Sequence, residues 1–157
     1  MGDSRRSDIR PRSPEFGWDD KRGCYKGETA VRIRYAETDR MGIAYNAHYL
    51  TWFEIGRTEF MRSAGFPYRQ MEERGINLPL VETAFRLRAS VSYDDVLITQ
   101  TWIHEVRSRT VAFAYEILHG GRVVAEGHTK HAFVRAADGK STVCPTWLRP
   151  KLDELTS

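Results

Sequence analysis

The sequence predicts an α+β fold in which an antiparallel sheet wraps around one long central helix. Three observations carry that prediction. Residues 47–64 place apolar side chains at helical spacing around most of their circumference. From about residue 81 the pattern changes to alternation with period two, the mark of strands with one buried face. Gly120-Gly121 then joins two strand-like runs as a two-residue hairpin signal. A helix with so little polar surface must be covered, and a curled sheet is the economical cover.

Residues 1–27 mix Arg, Ser, Pro, Asp and Gly without periodicity and read as a disordered N-terminal tail, leaving 28–157 as a single domain. In 29–35, Val31, Ile33 and Tyr35 alternate with Arg32 and Arg34, which describes a strand. A turn around Asp39 and Gly42 follows. The helix carries Tyr49, Phe53, Gly56, Phe60 and Ala64 on one stripe, while Leu50, Trp52 and Ile55 widen it. Asn46 is the expected N-cap and Gly65 the expected stop. A shorter helical piece spans 68–74.

Val81, Thr83, Phe85, Leu87 and Ala89 next alternate with Glu82, Ala84, Arg86 and Arg88. Tyr93-Asp94-Asp95 makes a turn into a strand over 96–106, and Arg107-Ser108-Arg109 turns the chain back. Val111, Phe113, Tyr115 and Ile117 share one face of the strand over 110–118. The last strand runs over 122–135, and Pro145 and Pro150 punctuate a short tail with room for one helical turn. A sheet of this kind leaves an edge and an outer face to cover, which favours a homo-oligomer.

Composition narrows the function classes. At 157 residues, 41% hydrophobic and 29% charged, the chain suits one ordinary globular domain. Of the net charge of +3, residues 1–27 hold the larger share, with seven Lys/Arg against five Asp/Glu. The remainder is nearly balanced, which argues against a nucleic-acid binder. Cys24 and Cys144 form no metal or redox pattern, so a reduced, cytoplasmic setting is the default. No apolar stretch approaches the ~20 residues of a membrane span, and no signal-peptide segment opens the chain. His128 and His131 stand three apart on a strand and face opposite ways, so no metal site is expected. Neither a Gly-x-Ser-x-Gly elbow nor a phosphate-cradling glycine loop is present.

Chemistry concentrates in 35–62, where Asp39, Gly42 and a helix start at Asn46 fall within a dozen residues. Amides at a helix N-terminus bind developing negative charge, and a nearby carboxylate supplies or activates a nucleophile. Together they suit attack on a carbonyl. Asp-x-x-Gly also closes ordinary turns, so the tetrad alone does not establish catalysis. Glu54, on an otherwise apolar helix, is expected to pair with a nearby cation, with Arg57 within reach.

The residues Asp39-x-x-Gly42, Tyr45, Tyr49, Phe53-Glu54 and Arg57, with Leu78-Pro79-Leu80-Val81 and Tyr93-Asp94-Asp95 further on, resemble the hotdog-fold acyl-CoA thioesterases. The likeness is to the 4-hydroxybenzoyl-CoA thioesterase family, including its Tol–Pal-associated branch, and covers roughly 29–135. It implies thioester hydrolysis with Asp39 as general base or nucleophile. A backbone amide near Asn46 and Ala47 would polarise the carbonyl, and Gly42, Tyr45 and His48 would lie about the substrate. It further implies a homodimer or homotetramer with the site at the subunit interface. Acyl-CoA, or an acyl-carrier protein, would be the partner, and no cofactor is needed because CoA is part of the substrate. Arg107, Ser108, Arg109 and Thr110 could hold the CoA phosphates. One departure matters: the Tol–Pal branch has a histidine where this chain has Asn46, which cannot exchange a proton. Two other readings fit the same fold, a non-catalytic acyl-CoA-binding module and a hydratase or dehydratase.

Overall fold

The first reversal of the chain is a hairpin that its polar composition conceals. In the structure, a computed structural model describing residues 14–156, β1 (Glu15–Asp19) runs antiparallel to β2 (Cys24–Arg32). The disordered-tail reading therefore fails for 15–27, and residues 1–13 lie outside those described. Aromatic burial explains the order. Phe16 stacks on Tyr25 at 5.4 Å and meets Phe60 edge-on at 5.4 Å. β2 also ends earlier than expected. Tyr35 belongs to a 3₁₀ turn (Tyr35–Glu37) and is 78% exposed.

Six strands form one antiparallel sheet, in the order β1-β2-β5-β6-β7-β4. Its later members are β4 (Leu80–Leu87), β5 (Val96–Val106), β6 (Thr110–His119) and β7 (Arg122–Ala132). The Gly120-Gly121 hairpin is as expected, with both glycines at positive φ and His119 opposite Arg122. The strand expected over 122–135 breaks after Ala132. Val134–Arg135 (β8) leaves to pair with Ile76–Asn77 (β3) in a separate small ladder.

One face of the sheet carries helix α1 (His48–Ser63), 16 residues and hence ~24 Å long. Phe53 stacks on Tyr115 at 4.4 Å, Phe60 meets Phe113 edge-on, and Phe85 packs on Tyr49 and Phe53. The stripe expected on β6 is buried throughout: Val111, Phe113, Tyr115 and Ile117 all lie in the core. Gly56 permits the close approach, because a Cβ there would stand 2.6 Å from both Thr101 Oγ1 and Thr99 Cγ2. One flank of α1 stays open, with Thr51 and Glu54 exposed. Two shorter helices follow, α2 (Tyr68–Glu73) and α3 (Arg149–Thr156). α3 exceeds the single turn expected and buries Leu152 and Leu155.

β4 departs from the expected burial. Val81 is 56% and Leu87 46% exposed, although both belong to the stripe predicted to be covered. The cause is position: β4 is an edge strand with a neighbour, β7, on one side only. Among the described residues, no helix is long and apolar enough to cross a membrane.

Candidate active site

Asp39 sits in a tight hairpin between the 3₁₀ turn and α1. Its N–H donates to Ile43 O at 2.9 Å, and Gly42 N–H returns to Asp39 O at 3.0 Å. The Asp39 carboxylate accepts from Met41 N–H at 2.8 Å and is otherwise exposed. Gly42 adopts φ 76°, a left-handed conformation that an L side chain resists, so its role here is to close the loop. Thr38 pairs with Ala44, and Ile43 with Ser92, which ties the loop to the segment after β4.

Glu37 anchors this loop, and sequence reasoning missed it. The side chain is buried, accepts from Arg34 N–H at 2.8 Å, and takes the Trp52 indole N–H from α1 at 3.2 Å. Burial alone would raise its pKa, but the hydrogen bonds from the Arg34 backbone, the Arg34 side chain and Trp52 outweigh it and hold the carboxyl below its usual range. Tyr45 N–H donates to Glu37 O at 2.8 Å, so the chain entering α1 and the chain leaving β2 are clamped together. A Glu two residues before the catalytic candidate was the available signal.

The start of α1 differs from the expected cap. Ala47, not Asn46, is the N-cap, and no side chain bonds the helix end. His48 N–H and Tyr49 N–H turn back to Tyr45 O and Asn46 O at 3.1 and 3.3 Å. The N–H groups of Asn46 and Ala47 have no acceptor among the described residues, and both residues are exposed. Two adjacent amides of this kind at a helix N-terminus are chemically able to receive an oxyanion. Tyr45 and His48 stand edge to face at 6.2 Å beside it, and His48 leans towards Trp52 at 6.5 Å. A small recess of about 220 Å³ between Ile43, Tyr49 and Leu87 adjoins the loop.

The Arg107–Thr110 turn lies elsewhere. Arg32 at the Asp39 end pairs with Val96, the first residue of β5, whereas the turn follows Val106, the last. Eleven residues of strand separate them by roughly 35 Å. Arg107 pairs with Glu105 at 2.9 Å, and Arg109 reaches Ser141 at 3.4 Å. Within one chain, then, Asp39, Gly42, Tyr45, Asn46, Ala47 and His48 lie on the one segment that leads into α1, while Arg107, Ser108, Arg109 and Thr110 lie at the other end of β5.

At the turn's end of the sheet a larger groove, about 840 Å³, opens between α1, α2 and β3. Below it runs a directed hydrogen-bond chain. Arg57 Nη1 donates to Tyr115 Oη at 3.1 Å, Tyr115 meets Thr129 Oγ1 at 2.5 Å, and Thr129 meets His131 Nε2 at 2.9 Å. His131 Nδ1 stands 3.0 Å from Leu78 O, which can only accept, so Nδ1 carries the proton. Every hydroxyl therefore points the same way, from Arg57 to the Leu78 carbonyl. Burial, with the Arg57 charge nearby, lowers the His131 pKa to about 4. The Glu54–Arg57 ion pair expected from their spacing is absent: Arg57 turns inward to Tyr115, and Glu54 stays at the exposed rim. His128 faces the other side of the sheet, near Glu82, as the strand spacing required. The described residues hold no cluster of three or more acidic, His or Cys ligands able to bind a metal.

The sequence profile of the Thioesterase-like superfamily matches residues 33–152. The chain belongs to this family. Among relatives, it is 28% identical over 116 residues to the acyl-CoA thioesterase YbgC of Haemophilus influenzae, covering 73% of this chain and 85% of that protein. Among solved structures, the protein TT1821 from Thermus thermophilus superposes with a TM-score of 0.78 at 32% identity, covering 82% of this chain and 98% of that one. The DHNA-CoA thioesterase from Staphylococcus aureus superposes with a TM-score of 0.72 at 29% identity, covering 75% and 80%. The matched family span begins after the β1–β2 hairpin.

Proposed function

We propose that this protein is an acyl-CoA thioesterase, releasing a free acid and CoA. The observation that carries the reading is the pair of unpartnered amides at Asn46 and Ala47, next to the Asp39 loop, in a chain of the thioesterase-like family. The thioester oxygen takes the two amides. Asp39 either removes a proton from a water that adds to the carbonyl, or adds to it directly. Collapse of the tetrahedral adduct expels the CoA thiolate. Direct addition leaves an aspartyl anhydride that water then opens. Asn46 contributes its backbone and needs no proton exchange in this scheme. In the hotdog arrangement proposed here, α1 serves as the central helix under the curled sheet, in a cytosolic enzyme.

The site is completed across β4. An antiparallel pairing of two β4 edges would bury the exposed Val81 and Leu87. It also reverses direction, bringing the Leu87 end beside Asp39 against the Leu80 end of the partner subunit, where the large groove and the Arg107–Thr110 turn lie. CoA phosphates would then meet the partner's turn, and Asp39 would lose its solvent.

The test is thiol release from a panel of short, long and aromatic acyl-CoAs. Asp39→Asn should fold normally and lose at least ~10²-fold in turnover; release at near wild-type rate would remove Asp39 from the chemistry. Label from ¹⁸O-water in the Asp39 carboxylate after one turnover would establish the nucleophile route, because the general-base route puts it only into the released acid.

A further inference from the structure

We propose that the groove between α1, α2 and β3 is a binding site for an organic carboxylate, with the Arg57 guanidinium as its charge partner. Arg57 is a cation set into the protein without an anion. Its Nη1 bonds the neutral Tyr115 hydroxyl, its Nε is enclosed with no acceptor, and no carboxylate forms an ion pair with it among the described residues. Buried charges in folded proteins are ordinarily paired, because an isolated one is costly to strip of water. The groove opens on this residue and could admit the missing partner.

Other features of the groove fit the same ligand. The Tyr68 hydroxyl is enclosed against the Arg57 guanidinium and its own O–H meets no acceptor; burial raises its pKa, so it stays protonated as a second donor. The hydrogen-bond chain through Tyr115, Thr129 and His131 to Leu78 O holds Arg57 in place, since reversing a hydroxyl would leave the His131 Nε2 lone pair without a donor or turn an O–H against an Arg57 N–H. Ile76, Leu78 and Val134 supply an apolar wall for a hydrocarbon body. A volume near 840 Å³ is within the range of small-ligand pockets. Glu54, at the rim, opposes an anion and so tunes its affinity.

Under the thioesterase reading the carboxylate is either the far end of a dicarboxylic acyl group or the free acid just released. The binding arm of the test needs neither turnover nor a thioester, so its failure is distinct from failure of that reading. Calorimetry on the full chain would compare hexanoate, benzoate and adipate with the neutral amides of the first two. Carboxylates should bind at least ~10-fold more tightly than amides. Arg57→Gln should abolish that preference, Tyr68→Phe should weaken carboxylate binding, and Glu54→Gln should strengthen it several-fold. If Arg57→Gln does not fold, the Tyr68 and Glu54 variants, which keep the charge, decide alone. Equal binding of acids and amides, no binding up to about 20 mM, or indifference to Glu54→Gln would overturn the proposal. In the kinetic arm, a KM for adipoyl-CoA at least ~10-fold below that of its methyl ester assigns the site to the acyl group. Equal KM values with competitive inhibition by the free acids assign it to the product.

Discussion

At the scale of single residues, hydrogen-bond direction separates side chains that look alike in sequence. Asn46 occupies the position expected of a cap, yet its side chain bonds nothing at the helix end. Asn46→Ala should therefore change stability by less than ~0.5 kcal/mol, against ~1 kcal/mol for a working cap, as read from urea midpoints. His131 behaves oppositely. Its neutral form is built into a fixed chain, and its folded pKa of about 4 lies below the ordinary 6.5. The unfolded state thus binds the extra proton first. Stability from this group is complete above about pH 6.5 and is lost as pH falls towards 4, by about 3 kcal/mol in total. Urea unfolding at pH 7 and pH 5 should show that decline, and His131→Asn should flatten it; an equal slope in the variant would count against His131 as the cause.

At the scale of elements, the contact between α1 and β5 is set by Gly56. A methyl group there would meet Thr101 Oγ1 and Thr99 Cγ2 at 2.6 Å, atoms enclosed under the helix. Gly56→Ala gains helix propensity but forces α1 off the sheet, and overpacking of this kind costs about 1–3 kcal/mol. Chemical denaturation measures the balance; a neutral or stabilised variant would mean the helix can shift freely. Helical periodicity in 47–64 was legible because Tyr49, Trp52, Phe53 and Phe60 do pack inward. The β1–β2 hairpin was not, since its order rests on Phe16 meeting Phe60 from a segment 44 residues earlier in the chain.

At the scale of the whole molecule, the proposed assembly through β4 rests on the exposed β4 edge and on the separation of the Asp39 loop from the Arg107–Thr110 turn. Val81→Lys on that edge should yield a folded monomer by light scattering, with thioester hydrolysis lost together with dimerisation. A monomer that retained full activity would confine the active site to one chain.

The sequence by itself determined the class of fold, the α1 stripe, the buried face of β6, the Gly120-Gly121 reversal and the turn at Asp39 and Gly42 that precedes α1. Each is encoded by periodicity or by turn chemistry within a few residues. Tertiary structure alone decided that Glu37 clamps the loop, that Ala47 begins the helix, that Val81 and Leu87 remain exposed, and that Arg57 turns from Glu54 to Tyr115. Those outcomes depend on which strand lies at the edge and on partners 15 to 58 residues away. Local pattern carries no record of such distances, because burial and hydrogen-bond direction are settled only when the helix and the sheet pack together.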